Sequence, residues 1–166
     1  MNKYYQTLQN ILEKGKTQSN KKGNIKYLIN ETISMSKEDL LKIFDEHKIA
    51  KSKLQKEIGL YLNGITEVEK YNEVGIFWWD YCAPTLINSY PTYFKKLPAL
   101  INKINTEKRP SKNYVLFIGE TGVETNQLPC LSLIQFQISE GELYITVYQR
   151  SADSNLGLPS DIYQIY

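Results

Sequence analysis

Cys82, Cys130 and His47 are the only thiols and the only imidazole in this chain. A single histidine in a basic, polar stretch makes a Ser-His-Asp arrangement untenable unless His47 travels to a distant site. Two cysteines in unlike contexts make neither a disulfide framework nor a metal cluster. Cys130 is the one placed for chemistry. On its own, a cysteine between Pro129 and Leu131 reads as a small buried hydrophobe. Downstream, however, lies Tyr148-Gln149-Arg150-Ser151-Ala152-Asp153, and a cation such as Arg150 beside a thiol lowers its pKa and yields the reactive thiolate. The planar guanidinium of Arg150 also suits a bidentate grip on phosphate, with Ser151 donating beside it. As an alternative, Arg150 is a surface ion-pair residue. Glu57, taken alone, reads as a solvated helix carboxylate.

These residues need elements to position them. Leu8, Ile11 and Leu12 at helical spacing predict a first helix from Tyr4 to Leu12, stopped at Lys14-Gly15-Lys16. Residues Gln18 to Asn24 read as a polar loop, and Ile25, Tyr27 and Ile29 alternate as in a strand. Ser36 followed by Asp39 is a near capping box ahead of a second helix. A third, from about Lys51 to Leu62, carries Glu57 and stops at Asn63-Gly64. Phe77-Trp78-Trp79-Asp80-Tyr81 is too aromatic to lie wholly in water and is expected to line a core or a pocket. Thr92 to Ile104 reads as a helix despite Pro98, followed by a strand from Tyr114 to Ile118. Leu131–Ile138 and Leu143–Tyr148 are strand patterns joined by the hairpin signal Ser139-Glu140-Gly141-Glu142. A last helix is expected from Ser160, capped by Ser160 or Asp161.

The 166 residues, 42% hydrophobic and 23% charged, suffice to bury a core and are read as one domain. Lys and Arg total 20 against 18 Asp and Glu. A formal charge of +2 is too small to argue for nucleic acid or an anionic membrane, so any phosphate site must be local. No leader pattern is evident, and no run approaches the ~20 apolar residues of a membrane span. A cytoplasmic protein is expected.

Pro129-Cys130, the hairpin after it, the Tyr-Gln-Arg-Ser-x-Asp segment at 148–153 and Leu156-Gly157-Leu158-Pro159 together resemble the thymidylate synthase family in order and separation. Several motifs at fixed spacing are a far stronger signal than one. Weaker matches extend over Tyr4–Gly15, Lys56–Gly64, Trp79-Asp80 and Ser89-Tyr90. The resemblance implies an α+β fold, a mixed sheet with helices on one face and the other face left for a twofold partner, hence a homodimer. It implies one-carbon transfer from methylenetetrahydrofolate to C5 of a pyrimidine nucleoside monophosphate. It assigns Cys130, Glu57 and Asp153 to catalysis. Arg150, Ser151, Asp161, Gly157, Tyr90, Lys112 and Lys22 are assigned to the nucleotide, and Trp79 and Asp153 to the folate. The chemistry explains the thiol: C5 of a pyrimidine is a weak nucleophile until a thiolate adds at C6 and turns C4, C5 and O4 into an enolate-like system.

The chain departs from the family in several places. The family's His after the nucleophile is Leu131 here. Its pair of arginines lent by the second subunit is reduced to Lys112 within Ser111-Lys112-Asn113, and an N-terminal loop arginine is matched by Lys22. The family's further C-terminal helix, strand and tail have no counterpart in these residues. The family's uracil-reading Asn falls on Asp161. Uracil offers a donor at N3 and an acceptor at O4; cytosine reverses both, and a carboxyl group answers the reversed pattern. Deoxycytidylate hydroxymethylases of the superfamily resemble this chain in having Asp there. The resemblance thus leads to two functional readings: thymidylate synthase-type transfer leaning toward cytidylate hydroxymethylation, or a non-catalytic nucleotide-binding or assembly homologue.

Overall fold

The structure, a computed structural model, describes residues 2–20 and 23–166. Helices and antiparallel sheets alternate in an α+β arrangement, as expected. Residues Ala50–Asp153 form one compact unit, and Met1–Ile49 with Ser154–Tyr166 form the other.

In the unit built from the two chain ends, α1 (Lys3–Lys14) is capped by Asn2, whose side chain accepts the N–H of Tyr4. α2 (Lys37–Glu46) starts at the expected capping box: Ser36 Oγ accepts from the Asp39 N–H, and Asp39 Oδ2 accepts from the Ser36 N–H, both at 3.2 Å. Buried Tyr4, Ile43 and Phe44 form the core, with Leu158, Ile162 and Tyr163 packed against them. The first sheet corrects the reading of 18–24 as a polar loop. β1 (Lys16–Asn20) pairs antiparallel with β2 (Gly23–Tyr27), with Lys16 opposite Tyr27. The strand ends at Tyr27, short of Ile29. Its side chains are mostly exposed, so backbone pairing holds it and no apolar alternation announces it.

The last helix, α7 (Gly157–Ile165), begins earlier than its sequence signals indicate. Pro159 falls in its first turn, where a missing N–H costs nothing. Ser160 therefore does not cap; its hydroxyl donates to the Leu156 carbonyl at 2.9 Å. Asp161 lies within the helix and is not its cap.

In the central unit, α3 (Lys51–Leu62) ends as expected, with Asn63 Nδ2 donating to the Gly59 carbonyl at 2.8 Å and Gly64 at φ +68°. α4 (Val68–Glu73) and a 3-10 turn (Asp80–Cys82) follow. The helix expected over 92–104 is two: α5 (Tyr90–Phe94) and α6 (Leu97–Glu107). Pro98 has no N–H to donate into a preceding turn, and it sits at the start of α6, where none is required.

β3 (Tyr114–Phe117), β4 (Leu131–Ser139) and β5 (Glu142–Gln149) form a sheet in that order. Every pairing among the described strands is antiparallel, which corrects the expected mixed sheet: hairpin-joined neighbours pair without a crossover. Glu140 and Gly141 link β4 to β5, at φ +52° and +83°. Both being positive gives the primed turn that matches strand twist. Tyr114, Leu116, Ile134 and Phe136 point to one face and are buried, and α5 and α6 pack against β3. Phe117, Leu133 and Tyr148 lie opposite one another on the other face, where Phe117 is 67% and Tyr148 61% exposed.

Candidate active site

Cys130 sits where the chain enters β4. Fully buried Pro129 anchors the approach, while the thiol-bearing residue is half-buried. Between Leu131 and Leu133 the pairing with β5 shifts by one residue, a bulge of the kind that re-aims side chains beside active sites.

Three groups hold the backbone here. The N–H of Cys130 donates to Tyr90 Oη at 3.0 Å, and the N–H of Leu131 donates to the same oxygen at 3.3 Å. The Cys130 carbonyl accepts the N–H of Arg150 at 2.8 Å. The Arg150 guanidinium donates from Nε to the Pro129 carbonyl at 3.1 Å and from Nη2 to the Leu128 carbonyl at 2.7 Å. Arg150 thus braces the loop that leads to Cys130, and among the described residues it is in no ion pair. Its exposed fork retains the Nη1 donors for an anion.

Glu57 is a buried carboxylate, 3% exposed, on α3. Its Oε1 accepts from Trp78 Nε1 and Trp79 Nε1, each at 2.6 Å. Such charge-assisted bonds are shorter and stronger than neutral ones. Tyr61, one turn further along α3, is buried beside it; burial first, then the charge of Glu57, hold its phenol well above the ordinary range. Tyr61 stays protonated and able to donate.

Aromatic rings join this carboxylate to the thiol. Trp79 meets Tyr90 edge-on at 6.1 Å, and Tyr61 lies 5.5 Å from Tyr90. Tyr90 in turn carries Cys130 on its hydroxyl. Tyr81 is pushed up to about 12, chiefly by burial and then by Cys82, with Cys130 the smallest cause. Cys82 itself is 1% exposed, and burial raises its pKa, as for a buried structural thiol.

The structure therefore brings together Cys130, Arg150, Tyr90, Trp79 and Glu57. Ser151 and Asp153 follow β5 directly and are exposed. Lys112 is exposed ahead of β3, and its carbonyl accepts from Gln135 Nε2 at 2.9 Å. Gly157 opens α7, and Asp161 is half-buried within it. Lys22 lies outside the described residues. Sequence reasoning missed Tyr61 as a partner of Glu57, although their spacing of one helical turn signals a shared face. It also read Trp78 only as lining a core or a pocket and did not pair it with Glu57, although the tandem Trp78-Trp79 offers two indole donors.

Cys130 and Glu57 are thus linked through Tyr90 and Trp79, and a thiol and a carboxylate are the groups that nucleophilic addition coupled to proton movement requires. The thymidylate synthase family model matches residues 2–166, taking in every residue of this cluster, and the chain belongs to the thymidylate synthase family.

Proposed function

We propose that this protein transfers a one-carbon unit from methylenetetrahydrofolate to C5 of a pyrimidine nucleoside monophosphate. The convergence of Glu57 and Cys130 on Tyr90 carries this reading. The Cys130 thiolate adds to C6, the electron pair moves through C5 and C4 onto O4, and C5 becomes nucleophilic. Glu57 moves protons at C4 and C5 through water, and Asp153 orients the base or its water network. Arg150, with Ser151, grips the phosphate while keeping its hold on the loop. After C5 attacks the donor's one-carbon unit, loss of the C5 proton expels the folate nitrogen and leaves a methylene group on C5; addition of water or hydride to that methylene then returns the electron pair, so that the C6–S bond breaks and the thiolate is restored.

The folate supplies the one-carbon unit at the methylene level. Its flat heterocycle fits the aromatic surface beside Glu57, where Phe77 is 58%, Trp78 41% and Tyr81 65% exposed. Trp79 backs that surface from inside. Asp161 leans the base toward cytosine and the product toward hydroxymethyl, formed when water traps the methylene group after transfer. The protein acts as a homodimer through the sheet face of Phe117, Leu133 and Tyr148, with Lys112 beside that face reaching the partner's phosphate. A solvent-exposed apolar patch of this kind is a signature of a protein interface.

Buried Leu131, 5% exposed where the family keeps a His, favours the second reading, a nucleotide-binding homologue without turnover. One measurement separates the two. Release of tritium from C5 of a pyrimidine nucleoside monophosphate needs the thiol but no folate. The wild-type chain and Cys82→Ala are expected to release it, and Cys130→Ala to release none while keeping its fold. Release by Cys130→Ala overturns the covalent mechanism. Absence of release in all three, with nucleotide still bound, selects the non-catalytic reading.

A further inference from the structure

The segment that leads to Cys130 and the segment that leads to Tyr90 are zipped together by side-chain amides. Asn126 Nδ2 donates to the carbonyls of Cys82, at 2.8 Å, and Thr85, at 2.6 Å, and its Oδ1 accepts the N–H of Ile87 at 3.1 Å. Next to it, Thr125 Oγ1 donates to the Ile87 carbonyl at 3.0 Å. From the opposite segment, Asn88 Nδ2 donates to the Glu120 carbonyl at 2.8 Å, and its Oδ1 accepts the Glu120 N–H at 3.0 Å. Asn88 is 7% exposed and held at φ +50°, a conformation that Asn tolerates better than most residues.

The placement of this clamp is informative. Asn88 is followed by Ser89 and Tyr90, whose hydroxyl holds the Cys130 and Leu131 amides. Asn126 is followed by the loop that Arg150 braces and that ends at Cys130. The Cys82 carbonyl closes the 3-10 turn that begins just after Trp79, the donor to Glu57. One side chain therefore ties the tryptophan that serves the carboxylate to the loop that serves the thiol. Only an amide can do this: both protons and the carbonyl oxygen of Asn126 are used, aspartate has no donor, and alanine has nothing to offer.

We propose that Asn126 is a positioning residue, setting the Glu57–Trp79 half of the site in register with Cys130. The catalytic part of this inference rests on Cys130 being the nucleophile; the geometric part does not. A misplacement of about 1 Å from a change remote from the chemistry can cost about 10²-fold in rate. Substrate binding, which Asn126 does not touch in this reading, should be little altered.

The test uses the full chain carrying Asn126→Asp, which is isosteric, and Asn126→Ala, with two readouts. The first is amide hydrogen–deuterium exchange. Cys130 and Leu131 are expected to exchange about tenfold faster or more in both variants, while Ile134 and Phe136, within β4, keep their wild-type rates. The second is C5 tritium release, expected to fall about tenfold or more in turnover while KM stays within about threefold of wild type. Unchanged amides at Cys130 and Leu131 overturn the proposal. So does a uniform rise across β4, which marks a merely structural residue, or a raised KM at unaltered turnover. Where Asn126→Ala does not fold, Asn126→Asp decides. If the wild-type chain releases no tritium, the nucleophile reading has failed by itself, and the amide readout still decides whether Asn126 positions the loop.

Discussion

The hydroxyl of Tyr90 accepts the backbone N–H of Cys130 at 3.0 Å, so the ring holds Cys130 where the chain enters β4. It accepts the Leu131 N–H as well. The resemblance assigns Tyr90 to the nucleotide, but the bonds seen here first make it a support for the thiol. A residue can do both only if its hydroxyl also donates toward the ligand.

Tyr90→Phe keeps the ring contacts and removes the acceptor. Two partly buried amides then lose their partner, at a cost of about 1–3 kcal/mol in stability, readable by urea unfolding. Tritium release should slow about tenfold or more, since 1.4 kcal/mol lost from the transition state is tenfold. A rise in KM alone, with stability unchanged, assigns Tyr90 to substrate and not to the loop.

Glu57→Gln tests proton movement with little disturbance of packing. The amide oxygen still accepts from the indoles, so stability should stay close to wild type, while tritium release falls by about 10²-fold, the lower range for losing a general acid–base group. Glu57→Leu strands the same indoles. Trp78 is 41% exposed and recovers water, but Trp79 is 8% exposed and does not. That variant should lose about 1–3 kcal/mol, most of it at Trp79, in addition to its activity. Near-equal stability of the Gln and Leu variants would show that the indole bonds contribute nothing net.

What the sequence disclosed follows from the range of each interaction. The capping box at Ser36 and Asp39 and the turn at Glu140-Gly141 are local, and both were legible. β1 was not, because an exposed strand that pairs through its backbone leaves no apolar pattern. The early start of α7 was hidden by Ser160 and Asp161, which resemble caps, while Pro159 was the informative residue. At the site, Cys130, Arg150 and Glu57 are residues that the family resemblance singles out, and the structure links them through Tyr90 and Trp79. The bonds from Trp78 and Trp79 to Glu57, from Arg150 to the Leu128 and Pro129 carbonyls, and from Asn126 to Cys82 join residues far apart in the chain. Pattern along the sequence does not encode such pairings.

Arg150 holds two carbonyls; if its remaining donors also grip phosphate, its removal has two separable effects. Arg150→Ala should weaken binding of a nucleoside monophosphate by about 1.5–3 kcal/mol more than binding of the matching nucleoside, the value of a hydrogen bond to a charged group. Loss of the loop brace should lower both affinities alike. Isothermal titration with the two ligands gives the difference directly. Equal losses for both show that the arginine is a brace only.

Base choice is where the sequence departs most informatively from its family. α7 begins at Gly157, so Asp161 lies within the helix and is not its cap. If Asp161 reads the base, wild-type protein should bind cytidylate-type nucleotides better than uridylate-type ones. The cytosine N4 amino group then meets a carboxylate acceptor, and N3 can share a proton with it. A carboxylate facing uracil O4 is repelled instead, and unpaired polar groups in a closed pocket cost about 1–3 kcal/mol. Asp161→Asn supplies the donor and acceptor that uracil wants and should shift preference toward uracil by roughly tenfold or more, since 1.4 kcal/mol is tenfold. Paired titration of both nucleotides into both proteins measures the shift. An identical preference before and after the substitution removes Asp161 from the base site, and with it the cytosine assignment, leaving uracil chemistry or none.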